Sequence, residues 1–208
     1  MGKKITVRLT LSEEMLGTSN NNPDIHREYI ASKSPDHQTI EDEVAAAGVE
    51  SVVENAMTVF PKMADGTPFV YDYQIRGYFK EACKALKRTP GTKSSKVKAY
   101  KQYIDNGIFV EPRQIVLDMH GGLIDSCQRP LRASTPQGER VALANSETVP
   151  EGTTLEFAVI CFVDEEAALI KEWLGYGRYK GLGQWRNSGK GKFTAEILSE
   201  ENYDPLAI

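Results

Sequence analysis

The chain has 208 residues, a hydrophobic fraction of 40%, a charged fraction of 26% and a formal net charge of −4, values typical of a soluble globular protein with one substantial domain or two small ones. No apolar run is long enough to span a bilayer, and the N-terminus lacks the apolar segment of a signal peptide. Three widely spaced cysteines argue against a disulfide framework or a zinc site and favour a reducing cytoplasm.

The N-terminal part combines one strand with a long polar stretch. Residues 3–11 alternate apolar and polar side chains, which predicts a half-buried strand. A polar segment with several turn-forming residues follows, and residues 41–53 have the pattern of a short acidic helix. Residues 11–57 carry ten acids and two bases, so the segment after the first strand is predicted to be acidic.

A basic helix is predicted next. Apolar residues recur at helical spacing from Tyr73 to about Arg88, and Asp72 is placed to cap the helix. Three cations fall mainly on another face of this helix: Arg76, Lys80 and Lys84. Residues 76–101 contain nine Lys or Arg residues and one acid. Such a run is often a solvated helix surface, but a second basic segment near the C-terminus favours a binding role.

In the middle of the chain, the sequence predicts strands before and after a segment with several prolines. Residues 108–117 have a strand pattern that Pro112 interrupts, which indicates an edge strand or a bulge. Residues 128–143, with several arginines and prolines, predict an extended hairpin or an irregular arm. Residues 153–163 alternate most clearly and predict a strand, after which Asp164 is placed to cap a helix that reaches about residue 174.

The most informative segment is GYGRYKGLGQWRNSGKGKF, residues 175–193, which leads into a last predicted strand over residues 192–198. It contains six glycines, no acid and five cations: Arg178, Lys180, Arg186, Lys190 and Lys192. Glycine lets a backbone approach a ligand closely, and cations suit phosphate oxygens. Aromatic rings such as those of Tyr179 and Trp185 stack on unpaired bases. The combination predicts a loop that holds the phosphate backbone of a single-stranded nucleic acid.

Other interpretations of this glycine loop fit less well. A flexible linker is rarely rich in Trp, Tyr and Leu. A mononucleotide P-loop does not fit, because Gly183 and Gly189 are one residue too far apart and Lys190 is followed by glycine instead of a hydroxyl residue. The dinucleotide fingerprint fails because three residues separate Gly177 from Gly181. We therefore expect phosphate binding without a nucleotide cofactor.

Without its insertions, the predicted order of elements is βαββαβ, the ferredoxin-like (RRM-like) arrangement of the α+β class. We expect a single domain whose core comprises about residues 3–17, 70–117 and 140–198, with a large insertion over about 18–69 and an extended arm over about 118–140. The sequence contains no internal repeat and no low-complexity tract that would indicate another organisation.

Several short motifs, in the same order along the chain, resemble those of the RAMP superfamily of CRISPR-associated repeat-RNA-binding proteins. The first strand runs into a loop through Leu16-Gly17, and residues 73–80 resemble the start of the family's first helix. Residues 146–157 resemble the E-x-V-P-x-G-T-x-F approach to its third strand. Gly181-Leu182-Gly183, with the following residues 188–191, resembles the glycine loop that the family has after its second helix.

The resemblance implies a ferredoxin-like core and single-stranded RNA as the ligand, with a guide RNA or single-stranded DNA as further possibilities. Together with the basic segments, it assigns nucleic-acid contacts to Arg76, Lys80, Lys84, Arg178, Lys180, Gly181, Gly183, Trp185, Arg186, Lys190 and Lys192. The chain departs from the family at Tyr73-Gln74, where small hydroxyl residues are usual. The family's catalytic positions have no clear counterpart in this sequence.

Some relatives cleave RNA, and the resemblance offers Asp24, in the loop after the first strand, and His26 as catalytic candidates. A carboxylate could help to bind a metal ion, and a histidine could act as a general acid or base. We favour a turn-forming role for Asp24, which follows Asn-Pro. His26, His37 and His120 each stand in a polar context without a visible partner, which favours surface positions.

The sequence thus predicts a cytoplasmic RNA-binding protein of prokaryotic or phage origin that needs no cofactor and no membrane. It is expected to act as a homo-oligomer or within a multi-subunit complex, as a repeating backbone subunit. Two alternatives stay open. One is an endoribonuclease that uses Asp24 or His26, and the other is a non-enzymatic phage assembly or mimic protein whose acidic segment docks on a protein complex.

Overall fold

The computed structural model describes residues 2–20, 57–135 and 138–207. Within these residues the strands are β1 (Gly2–Leu11), β2 (Met15–Leu16), β3 (Ser19–Asn20), β4 (Thr58–Val59), β5 (Phe69–Tyr71), β6 (Ile108–Glu111), β7 (Gln114–Val116), β8 (Asp125–Thr135), β9 (Gly138–Val149), β10 (Thr154–Cys161) and β11 (Phe193–Tyr203). The α-helices are α1 (Asp72–Leu86), α2 (Tyr100–Gly107) and α3 (Glu166–Tyr176). None of these three helices is both long and apolar enough to cross a membrane. The expected α+β class is confirmed, and the acidic helix predicted over residues 41–53 lies outside the described residues.

A four-stranded sheet organises the chain, with the strand order β11-β1-β10-β6 and every neighbouring pair antiparallel. The predicted alternation of β1 is confirmed, because Ile5, Val7 and Leu9 are at most 1% exposed. Arg8 and Lys4 lie on the opposite, open face of the sheet and are only half-buried. One face of this sheet therefore belongs to the core, as the period of two in the sequence requires.

Helices α1 and α3 supply the other half of the core. Phe79 of α1 and Trp173 of α3 belong to the same buried cluster as the apolar face of β1, and their ring centroids lie 5.6 Å apart. The Tyr78 hydroxyl donates to the Trp173 carbonyl oxygen (2.7 Å), and Trp173 Nε1 donates to Ser94 Oγ (2.9 Å). The predicted bounds of both helices lie within two residues of the observed ones.

The single strand predicted over residues 108–117 is in fact two strands. β6 pairs with β10 in the main sheet, whereas β7 pairs with β5, which directly precedes α1. Pro112 lies between them and has no N–H group to continue a ladder. The predicted interruption at Pro112 is therefore confirmed, but the two segments on either side of it join different sheets.

Residues 128–135 and 138–143 form paired strands, which is the hairpin alternative and not an irregular arm. β8 and β9 pair along their whole length, from Asp125 opposite Thr148 to Thr135 opposite Gly138. β9 also pairs with β2 and β4, which ties the hairpin to the connection after β1. Pro130 is tolerated in β8 because β8 is an edge strand, paired only with β9 in the described chain.

The open face of the main sheet is rich in carboxylates. Arg8 lies 2.7 Å from Glu156 and 3.5 Å from Glu196, and Lys4 lies 3.7 Å from Glu111. Both cations that β1 places on this face are thus held by acids from other strands of the sheet. An anionic ligand on this face would therefore have to compete with these carboxylates for Arg8 and Lys4.

Candidate nucleic-acid interface

The glycine loop, residues 175–193, is fastened to the connection that follows β1. Ser12 N donates to the Lys192 carbonyl oxygen (2.8 Å), and Gly191 N donates to that of Glu14 (2.8 Å). Within the loop, Leu182 N donates to the Gly191 carbonyl oxygen (2.9 Å). These backbone hydrogen bonds give the loop a defined position beside β2.

The glycines of the loop allow this close packing. A Cβ atom added to Gly181 would overlap the backbone of Gly191, and one added to Gly191 would overlap the carbonyl oxygen of Leu182. Gly183, with φ of +77°, would place a Cβ atom 2.5 Å from the Leu16 carbonyl oxygen. Gly181 and Gly183, which the sequence assigned to ligand contacts, therefore shape the loop, while their contact with a ligand stays a prediction.

Three of the five cations of the loop are paired with acids from other elements. Glu81 of α1 lies between Lys180, at 3.3 Å, and Arg186, and it pairs with both. Lys190 lies 2.6 Å from Glu14, and this hydrogen bond raises the pKa of the Lys190 ammonium group. Three of the five loop cations are therefore already engaged by the two carboxylates Glu81 and Glu14.

The remaining two loop cations differ. Arg178 is exposed and Lys192 is half-buried, and neither forms an ion pair with a residue in the described ranges. A phosphate could therefore bind these two cations of the loop without first displacing a carboxylate of the described chain.

The cations predicted on α1 are also divided between paired and free groups. Arg76 lies 3.4 Å from Asp72, one helical turn earlier, and Lys80 lies 2.5 Å from Asp105 of α2. Lys84 is exposed and has no carboxylate partner among residues 2–20, 57–135 and 138–207. Of the three cations predicted on this helix face, only Lys84, nearest the C-terminal end of α1, is therefore without an acidic partner in the described chain.

A basic ridge begins at that end of the helix. It runs from the last turns of α1 to the first turn of α2 and is formed by the exposed residues Lys84, Lys87, Arg88, Lys93, Lys96, Lys98 and Lys101. None of the seven pairs with a carboxylate of the described chain, although Lys87 lies over the Tyr100 ring. Glu172 of α3 accepts hydrogen bonds from the backbone nitrogens of Lys93 (2.7 Å) and Ser94 (3.0 Å) and so holds the ridge against the core.

A groove of about 650 Å³ opens between β2, the start of α1 and the glycine loop. Leu16 and Tyr78 line its apolar part, and Gln74, Glu81 and Arg186 line its polar part. Burial raises the pKa of the Tyr78 phenol, so this group stays a neutral hydrogen-bond donor. The groove joins an apolar surface to the charged side of the loop.

Trp185 stands at the outer side of the loop and contacts an arginine that sequence reasoning missed. Trp185 is 41% exposed, and its backbone φ of +54° is unusual for a residue with a side chain of this size. The guanidinium of Arg129, in β8, lies 5.6 Å from the indole ring and donates to Gln184 Oε1 at 2.6 Å. No local pattern could reveal this contact, because it joins residues more than fifty positions apart in the chain.

The catalytic assignment of Asp24 and His26 stays a prediction. Asp24, His26 and His37 lie outside the described residues. His120 is not isolated, since its Nδ1 lies 3.4 Å from Asp118 and its Nε2 lies 3.1 Å from Thr154 Oγ1. The described ranges contain no group of three or more His, Cys, Asp or Glu residues placed to hold a metal ion.

Comparison with known proteins gives a structural match but no sequence match. No protein-family model matches the chain, and no curated protein matches it. Solved structures of similar fold include a chain of the Type III-B Cmr-beta bound to cognate target RNA, with a TM-score of 0.53 and 9% sequence identity. The match covers 96% of this chain and 60% of that chain, so this protein spans less than two thirds of its solved neighbour. At this identity the match shows a similar fold.

Proposed function

We propose that this protein binds single-stranded RNA along the basic ridge and the glycine loop. The observation that carries the proposal is the ridge, where seven exposed cations have no carboxylate partner in the described chain. Cations of this kind bind phosphates and release counterions from the nucleic acid, so the free energy of binding depends strongly on salt. Arg178 and Lys192 extend the same charge into the loop.

The other broad surface of the molecule is a poorer RNA site. In an RRM-like mode, bases would lie on the open face of the main sheet. Here Glu156, Glu196 and Glu111 occupy that face and hold its arginine and lysine. Phosphates would have to displace these carboxylates, so the proposed path follows the helices and the loop.

We further propose that the core is ferredoxin-like and that the protein is a RAMP-like subunit of a CRISPR-associated ribonucleoprotein in the cytoplasm. The order β1, α1, β6, β10, α3, β11 supports this arrangement, with the shorter strands, α2 and the hairpin as additions. The solved neighbour is described as bound to cognate target RNA, which supports RNA as the ligand. A guide RNA within a multi-subunit complex, with this chain as a repeated subunit, is the context that we propose.

Binding of a fluorescent single-stranded RNA at several salt concentrations tests the proposal. We expect binding at micromolar or lower concentration that weakens as salt rises. The triple variant Lys93→Gln/Lys96→Gln/Lys98→Gln should reduce the slope of log K against log salt by about 2, since each phosphate contact with a single strand contributes about 0.7. The same titration with single-stranded DNA measures the preference for RNA.

Removal of cations from the open sheet face provides the control. The variant Lys4→Gln/Arg8→Gln should leave both affinity and slope unchanged. The proposal would be wrong if the wild-type protein bound no RNA at low salt, or if the sheet-face variant lost more affinity than the ridge variant.

A second prediction concerns Glu81, which holds Lys180 and Arg186. The substitution Glu81→Gln removes a negative charge beside the proposed RNA path and frees both cations for phosphate. We expect RNA affinity to rise about five-fold, which corresponds to the ~1 kcal/mol of one exposed charge contact. The substitution Glu156→Gln, which removes the nearer of the two carboxylates that pair with Arg8 on the open face, is the matched control and should leave RNA affinity unchanged. Equal or weaker binding by the Glu81 variant would place the RNA away from the loop.

A further inference from the structure

Arg129 is a buried cation whose hydrogen bonds are incomplete. The residue is 8% exposed, and its Nε and Nη1 atoms are buried without an acceptor among the described residues. Its Nη2 atom donates to Gln184 Oε1 at 2.6 Å. Buried arginines are nearly always paired, because an ionised group without partners is expensive to remove from water. A guanidinium in this state is suited to an anion that arrives from outside the protein.

The surroundings of Arg129 point to the chemistry of that anion. The guanidinium lies against the indole of Trp185, at 5.6 Å from the ring, and the residue Trp185 is 41% exposed. The left-handed backbone of Trp185 costs conformational energy, and residues held in this way cluster at ligand-binding sites. A cation beside an accessible aromatic ring matches one nucleotide unit, in which a phosphate adjoins a base.

We infer that Arg129 and Trp185 form a nucleotide subsite, in which Arg129 binds a phosphate of single-stranded RNA and Trp185 stacks on the neighbouring base. Nε carries one N–H group and Nη1 carries two, and the non-bridging oxygens of a phosphodiester can accept all three. Because these donors are buried, the groups that cover them must move when RNA enters. This inference rests on the proposed RNA binding and adds a specific site to it.

The test combines RNA affinity with tryptophan fluorescence. The chain has two tryptophans, and Trp173 is fully buried, so a change in emission on RNA binding is expected to come from Trp185. The variant Arg129→Gln should bind RNA about ten-fold more weakly, as expected for the loss of a hydrogen bond to a charged group. Its slope of log K against log salt should fall by about 0.7, the contribution of one phosphate contact. Arg129→Lys should retain the slope, and Arg8→Gln on the open sheet face should retain both affinity and slope.

The outcomes separate this inference from the proposed function. If the wild-type protein binds no RNA, the proposed function itself fails. If RNA binds and Arg129→Gln keeps the wild-type slope, Arg129 does not contact phosphate and the inference alone is wrong. If Arg129→Gln does not fold, the tryptophan emission of the wild-type protein on RNA binding tests the subsite instead. A change that is lost in Trp185→Phe supports the subsite, and saturated RNA binding with unchanged emission overturns it.

Discussion

Replacing Trp173 with alanine lowers the free energy of unfolding by about 3–5 kcal/mol, the range for truncation of a large buried aromatic residue. Trp173 is fully buried and packs against Phe79 of α1. Its indole N–H also donates to Ser94 Oγ, so its loss leaves a cavity and removes one of the hydrogen bonds that hold the turn before α2. Urea denaturation followed by far-ultraviolet circular dichroism measures the change.

Trp185→Ala is the matched control, because it removes the same side chain from an exposed position. Trp185 is 41% exposed and lies outside the core cluster. We expect its substitution to change the free energy of unfolding by less than about 1 kcal/mol. Equal losses for the two variants would contradict the assignment of Trp173 to the centre of the core.

Replacing Gly191 with alanine is expected to destabilise the protein by more than about 2 kcal/mol and to weaken RNA binding. The left-handed backbone at φ +70° costs a non-glycine residue about 1–2 kcal/mol, and the added Cβ atom would also overlap the Leu182 carbonyl oxygen. The loop must then leave its place beside Glu14, to which Gly191 N donates. Denaturation and RNA titration on the same preparation measure both effects.

Gly175→Ala tests whether this effect depends on position. Gly175 lies in α3, and a Cβ atom added there would meet no atom of the described chain within 4 Å apart from its own helix backbone and chain neighbours. Alanine is the better helix former, so we expect an unchanged or slightly higher stability, by up to about 1 kcal/mol, and unchanged RNA affinity. If the two variants behaved alike, the close packing derived for Gly191 would not exist in solution.

Local patterns predicted the parts of the fold that have regular periodicity. The alternation in β1 and the helical spacing in α1 and α3 each reflect one buried face of a single element. The hairpin of β8 and β9 was harder to predict, because Pro130 is unfavourable in most strands and is tolerated only at an edge. The separation of residues 108–117 into two sheets depends on pairing partners, which a local pattern does not contain.

The sequence likewise predicted only part of the candidate site. The glycine loop was identified from composition, but the packing role of Gly181 and Gly191 depends on their contact with each other and with Leu182. The sequence could not reveal that Glu81 pairs with two of the loop's cations, because Lys180 and Arg186 lie about one hundred positions away from Glu81 in the chain. The contact of Arg129 with the loop was unpredictable for the same reason.

These contacts shift the proposed centre of RNA binding. The loop holds five cations, but acids from α1 and from the connection after β1 pair with three of them. The basic ridge keeps all of its charge free within the described chain. We therefore expect the ridge to supply most of the electrostatic affinity, while the loop and Trp185 contact bases and nearby phosphates.

Lysine acetylation with and without bound single-stranded RNA, read by mass spectrometry, tests this claim most directly. We expect RNA to protect Lys93, Lys96 and Lys98 on the ridge and to leave Lys4, on the open sheet face, as reactive as in the free protein. Protection of Lys4 together with unprotected ridge lysines would contradict it.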